Sequence, residues 1–86
     1  MIQRIAEQVS VITSYNSVAR AVRPLSLTWG HHEYSVSQVG LRHTYRDGIT
    51  RNHVFSLVGG ILFFRLILNA DNLSWTLEEV SDGLPD

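Results

Sequence analysis

The stretch Asn52-His53-Val54-Phe55-Ser56-Leu57-Val58-Gly59-Gly60-Ile61-Leu62-Phe63-Phe64-Arg65-Leu66-Ile67-Leu68 decides the fold. Two runs rich in β-branched and aromatic residues flank a glycine pair, the pattern of two strands joined by a tight turn. With Gly59-Gly60 as a two-residue loop, Leu57 falls opposite Leu62 and Phe55 opposite Phe64, so all four share one face. The intervening residues Val54, Val58, Ile61, Phe63 and Ile67 then project from the other face, which is more apolar than a solvated sheet surface should be.

Turn signals recur on both sides of this hairpin, at Gly30-His31-His32, Asp47-Gly48, Asp71-Asn72 and Asp82-Gly83. A turn centred on His31-His32 sets Trp29 opposite Tyr34 and Leu27 opposite Val36. A two-residue loop at Asp71-Asn72 sets Leu68 against Trp75 and Leu66 against Leu77. At Asp47-Gly48 a three-residue loop, with Gly48 at positive φ, sets Leu41 against Phe55 and Val39 against Leu57. Tyr34 and Val36 differ in parity from Val39 and Leu41, so a β-bulge is expected near Ser37-Gln38. The predicted core face comprises Leu25, Leu27, Trp29, Tyr34, Val36, Val39, Leu41, Phe55, Leu57, Leu62, Phe64, Leu66, Leu68, Trp75 and Leu77. Residues 2–13 fit either a helical stripe or an alternating strand; the β-branched Val9-Ser10-Val11-Ile12-Thr13 favours a strand from about residue 5. Residues 14–23 read as a loop ended by Pro24. The expected architecture is a single all-β domain over residues 1–86, with a strand meander over 24–80. Five or six antiparallel strands would form a small barrel or roll.

Composition bounds the function. The chain has 86 residues, a formal net charge of −1, no cysteine, and hydrophobic residues at 44%, which excludes a disulfide framework, a thiolate nucleophile and intrinsic disorder. There is no lysine, so Schiff-base chemistry is excluded. Neither a phosphate loop, a dinucleotide fingerprint nor a Gly-x-Ser-x-Gly elbow is present. Glu78-Glu79 are neighbours on a strand, so their carboxylates point to opposite faces and cannot act as a pair. The longest apolar run, residues 61–68, contains Arg65 and is too short to span a bilayer as a helix, and the N-terminus lacks the apolar stretch of a secretory signal. A soluble cytoplasmic protein that is not an enzyme and carries no cofactor is expected.

Pro24, Trp29, Tyr34 and Val36, followed by Leu66, Trp75 and Leu77, resemble a family of short bacterial domains of unknown function. Its pattern is a proline, a tryptophan, a Tyr-x-Val strand and a closing Trp-x-Leu strand, here covering residues 5–82. The chain departs from it in lacking a second tryptophan in the middle strands. The resemblance implies an all-β fold and carries over no activity and no functional residues.

Three sets of residues are candidates for function. The preferred register places His43 opposite His53, a two-imidazole start to a metal site, with Tyr45 opposite Arg51 beyond. A site needs three or four ligands, and arginines 42, 46 and 51 would oppose a cation, so no metal is expected. Residues 20–65 hold six arginines against Glu33 and Asp47, whereas residues 66–86 hold five acids and no base. Arg42, Arg46 and Arg51 beside Tyr45 would hold phosphates and stack a base of single-stranded nucleic acid. Against this, the net charge is slightly negative and Arg65 faces Glu78 in the expected register. The apolar outer face of Val54, Val58, Ile61, Phe63 and Ile67 requires cover from the N-terminal segment, a second copy of the chain or a protein partner. The leading expectation is therefore an interaction module that self-associates or binds a protein partner through that face or an exposed sheet edge. The alternative is a nucleic-acid-binding β-barrel.

Overall fold

A computed structural model of the chain describes residues 1–83. It contains seven strands, β1 (Ile2–Asn16), β2 (Ala21–Trp29), β3 (His32–Ser35), β4 (Gln38–Asp47), β5 (Thr50–Gly59), β6 (Leu62–Asn69) and β7 (Trp75–Ser81). All neighbours are antiparallel, in one sheet ordered β3-β2-β1-β7-β6-β5-β4. The fold is thus all-β, but with seven strands rather than five or six, and the sheet is open rather than closed into a barrel.

The N-terminal segment is a long strand and not a helix. Its first half pairs with β7, from Ile2 opposite Ser81 to Val9 opposite Trp75, and its second half pairs with β2. Bulges at both halves keep apolar residues inward: the β7 register shifts between Arg4 and Glu7, where Ala6 has a φ of 55°, so that Ile5, Val9 and Val11 all pack on the core. Residues 14–23 are a hairpin rather than a loop. Tyr15 pairs with Val22, and Asn16 Oδ1 accepts the main-chain N–H groups of Val18 (3.0 Å) and Ala19 (2.9 Å), closing the turn locally. Pro24 lies inside β2, fully buried, opposite Thr13 beside a register shift, where its missing donor does not break a regular ladder. That shift leaves Leu25 without a partner on β1 and 44% exposed, so it does not belong to the core face.

Three turns differ from the expected ones for one reason. Gly30, Gly48 and Gly60 each have φ near +60°, at 65°, 64° and 61°, and the residue that follows does not. A positive φ at the first central residue alone is the type II′ arrangement, which suits a glycine followed by any residue. The loops are accordingly Gly30-His31, Gly48-Ile49 and Gly60-Ile61, closed by the pairs Trp29–His32, Asp47–Thr50 and Gly59–Leu62. For the first and third hairpins this slides the register by two, so Leu27 meets Tyr34, Leu57 meets Phe64 and Phe55 meets Leu66, with every side chain still on its expected face. For β4–β5 the two-residue loop slides it by one. Val39 still meets Leu57, because the extra residue is absorbed between Val39 and Arg42. Leu41 falls in that bulge and is 78% exposed, and Arg42 takes its place opposite Phe55. The β6–β7 register is as expected for Leu68 with Trp75 and Leu66 with Leu77, but it shifts between Arg65 and Leu66, which sets Arg65 opposite Glu79 rather than Glu78.

The interruption expected near Ser37-Gln38 is a change of partner rather than a bulge. Val36 donates its N–H to Leu25 O of β2, and Ser37, the next residue, donates to Val58 O of β5, both at 2.8 Å. The chain leaves one side of the sheet for the other at this point, and β3 and β4 become its two edges. The sheet curls accordingly: Tyr34 of β3 lies 5.1 Å from the ring of Phe64 on β6. Gly59 permits that approach, since a Cβ there would meet Ser35 O at 3.0 Å and the Phe64 ring at 3.1 Å. Leu27, Phe55, Leu57, Phe64, Leu66, Leu68, Trp75, Leu77 and Val80 form the core, with Trp29, Tyr34, Val36, Val39 and Leu62 packed around it.

Leu66 and Leu77 are opposite each other in register and both 0% exposed. Leu77→Ala is expected to lower unfolding stability by about 2–5 kcal/mol through lost contacts and an unfilled cavity. Leu41→Ser should change it by less than about 0.5 kcal/mol. Urea denaturation of the two variants checks both values.

Candidate functional site

Two hairpin ends reach beyond the core. Every residue from 12 to 20 is exposed at the β1–β2 end, and every residue from 40 to 47 on β4 is exposed on both faces. β3 ends at Ser35, so residues 21–24 of β2 have a ladder with β1 only, and β4 has a ladder with β5 only. These two free edges bound a cleft. Ala19, Arg20, Ala21 and Val22 form one wall, Arg42, His43 and Thr44 the other, and His53, Phe55 and Leu68 the floor, around about 580 Å³. A second hollow of about 450 Å³ adjoins it, sharing Ala19, Ala21 and Arg42 and adding Ser14, Asn16, Arg23, Val39 and Gly40.

A side chain, not a ladder, links the two walls: Arg42 Nη1 donates to Val22 O at 3.4 Å. Paired strands lie about 4.8 Å apart and bond through their main chains. Among the described residues the hydrogen bond between these two edges is this long, exposed one. No carboxylate lines either hollow. Among the described residues, Arg20, Arg23, Arg42, Arg46 and Arg51 form no ion pair, whereas Arg65 pairs with Glu78 at 3.6 Å between Nε and Oε2. In register Arg65 stands opposite Glu79 and Glu79 opposite Arg4, so a carboxylate lies in the row of the two arginines away from the cleft, although Arg4 forms no ion pair among the described residues.

The one-residue slip of β4 rearranges the predicted site residues. His43 pairs with Val54 and His53 with Thr44, so the two imidazoles lie on opposite faces and do not share an ion. Among the described residues no three histidines or carboxylates cluster as metal ligands. Tyr45 pairs with Asn52 rather than Arg51, and Arg46 takes the place opposite Arg51. Arg42, Arg46 and Arg51 therefore share one face with His53 and the cleft floor, while Tyr45 and His43 occupy the other. The fold also sets Arg20 and Arg23 each beside a hollow that Arg42 lines, which the spacing along the chain could not reveal.

The apolar outer face is only partly as expected. Val54 pairs with Ile67 and Val58 with Phe63, so these four do share a face. Val54 is nevertheless 1% exposed, Val58 and Ile67 are half-buried, and Ile61 is a turn residue off that face. β1 does not lie over this face, because it is a strand within the sheet, although Ile2 joins the same row through Ser81 and Phe63. Phe63, 47% exposed, is approached by the chain after β7: a Cβ on Gly83 would come within 2.9 Å of its ring.

Comparison with known proteins finds no match. No family model, no curated protein and no solved structure is similar to the chain. Among the described residues no helix is long and apolar enough to cross a membrane.

Replacing Arg42 by glutamine removes the one side-chain bridge across the cleft. Amide hydrogen exchange at residues 21–23 should accelerate, while global stability falls by no more than about 1 kcal/mol, since the bond is exposed and long.

Proposed function

We propose that this chain is a non-enzymatic interaction module that takes an extended segment of a protein partner into the cleft between β2 and β4. The observation that carries this is the pair of facing, unladdered strand edges, residues 21–24 and 39–47. An extended peptide offers main-chain donors and acceptors in alternation, and so complements both edges at once. Self-pairing through β4 is disfavoured by its own sequence, because two antiparallel copies centred on Thr44 would set Arg42 of one against Arg46 of the other. The Val54/Phe63/Ile67 face offers less open apolar surface than the alternation implies, so assembly through it is the weaker account.

Single-stranded nucleic acid is the second reading, favoured by Arg42, Arg46 and Arg51 lying on one face. Such binders combine arginines with exposed aromatic platforms. Here Tyr45 lies on the other face, and the aromatic in the cleft, Phe55, is 4% exposed. A nucleic-acid backbone would also leave the edge carbonyl groups without donors.

Titration of the labelled protein with ten-residue extended peptides, followed by amide chemical shifts, tests the proposal. Shifts are expected at residues 21–23 and 39–47, with the β6–β7 amides unmoved. Shifts confined to the surroundings of Phe63, or none at millimolar peptide, would overturn it.

A further inference from the structure

Resting on that reading of the cleft, we infer that the segment it receives is acidic, with carboxylates at alternate positions along an extended chain. Three observations converge. The two hollows are lined by Arg20, Arg23, Arg42 and His53 among their basic side chains and by no carboxylate. The arginines have no ionic partner among the described residues, and Arg42 directs one donor to a carbonyl at 3.4 Å with the rest of its guanidinium uncommitted. Arg42, Thr44 and Arg46 occur at every second position of β4, on the face that looks over the cleft, with Arg51 opposite Arg46.

That spacing selects among anionic guests. A strand laid antiparallel along the free edge of β4 sets its own alternate side chains beside Arg42 and Arg46. Carboxylates four residues apart on one side of the guest meet both arginines, and the planar guanidinium fork takes a carboxylate oxygen pair. A basic guest would be repelled by the same groups. A neutral guest would pair its main chain and leave the arginines as they are. Each matched cross-strand charge pair is expected to strengthen binding about two- to fivefold.

The test uses three blocked ten-residue peptides that alternate threonine or valine with glutamate, glutamine or lysine, at low and at high salt. The glutamate peptide is expected to bind about tenfold more tightly than the glutamine peptide at low salt, and the difference should shrink as salt screens it. In the double variant R42Q/R46Q the ratio of glutamate-peptide to glutamine-peptide affinity should fall from about tenfold to about onefold, whatever the change in affinity common to both. Should that variant fold poorly, R42E/R46E is read instead by its switch in preference towards the lysine peptide. Equal binding of the glutamate and glutamine peptides would overturn the acidic preference and leave the edge-pairing proposal standing. Failure of all three to shift the amides of residues 21–23 and 39–47 would remove both. Displacement of the glutamate peptide by a single-stranded oligonucleotide of lower Kd would overturn the assignment in favour of nucleic acid.

Discussion

Two successive main-chain N–H groups govern this structure. Val36 bonds to β2 and Ser37 to β5, each at 2.8 Å, so two consecutive peptide units bond to opposite sides of a curled sheet. Antiparallel strands pair only where their edges face at ladder distance, and the chain can satisfy that on one side at a time. Before Val36 it follows β2, and after Ser37 it follows β5. Everything above this junction has two strand ends diverging from a common corner. The bulge at Gly40-Leu41 and the register shift around Leu25 turn those ends further, and Pro24 withholds a donor from the β2 edge. The open cleft is therefore a product of the corner and not a defect in packing.

The same corner sorts charge. A net charge of −1 conceals a molecule whose arginines collect where the sheet is open. Arg20 and Arg23 arrive on the β1–β2 hairpin and Arg42, Arg46 and Arg51 on the β4–β5 hairpin. Glu33 and Glu79 lie on β3 and β7, away from the cleft, and Asp82 holds the N-terminal ammonium at 2.6 Å beside the end of β7. Arg4 and Arg65 sit in a row with Glu79, and Arg65 pairs with Glu78. Unpaired cations grouped around a concave surface focus a field that the overall charge does not report.

Much of this was legible in the residues. The alternation through residues 52–68 specified two strands, and glycine positions marked every hairpin except the first and the β6–β7 turn. Core membership survived an error of two in two registers, since a shift of two leaves each side chain on its own face. The errors of one were costly. Leu41 was placed in the core by extending the parity of Val39, and His43 was placed opposite His53 by the same count. The bulge that absorbs the extra residue depends on the II′ geometry at Gly48, which the Asp-Gly pair alone leaves open. Residues 14–23 were misread because Ser, Asn and Ala weaken a strand signal, whereas Asn16 in fact closes the turn with its own side chain.

By itself, the sequence determined that this protein is all-β with antiparallel strands, and which apolar residues form most of its core, whereas the single meander it implies over residues 24–80 is broken between β3 and β4, which form the two sheet edges. Those properties follow from period-two alternation and turn chemistry, which are local. Tertiary structure alone decided that the sheet stays open, that arginines 20 to 30 residues apart in the chain face one another, and that the two histidines do not. Those outcomes depend on where bulges fall and on which strand each free edge meets, and both are set by the balance of long-range pairing and core packing rather than by any neighbouring residue.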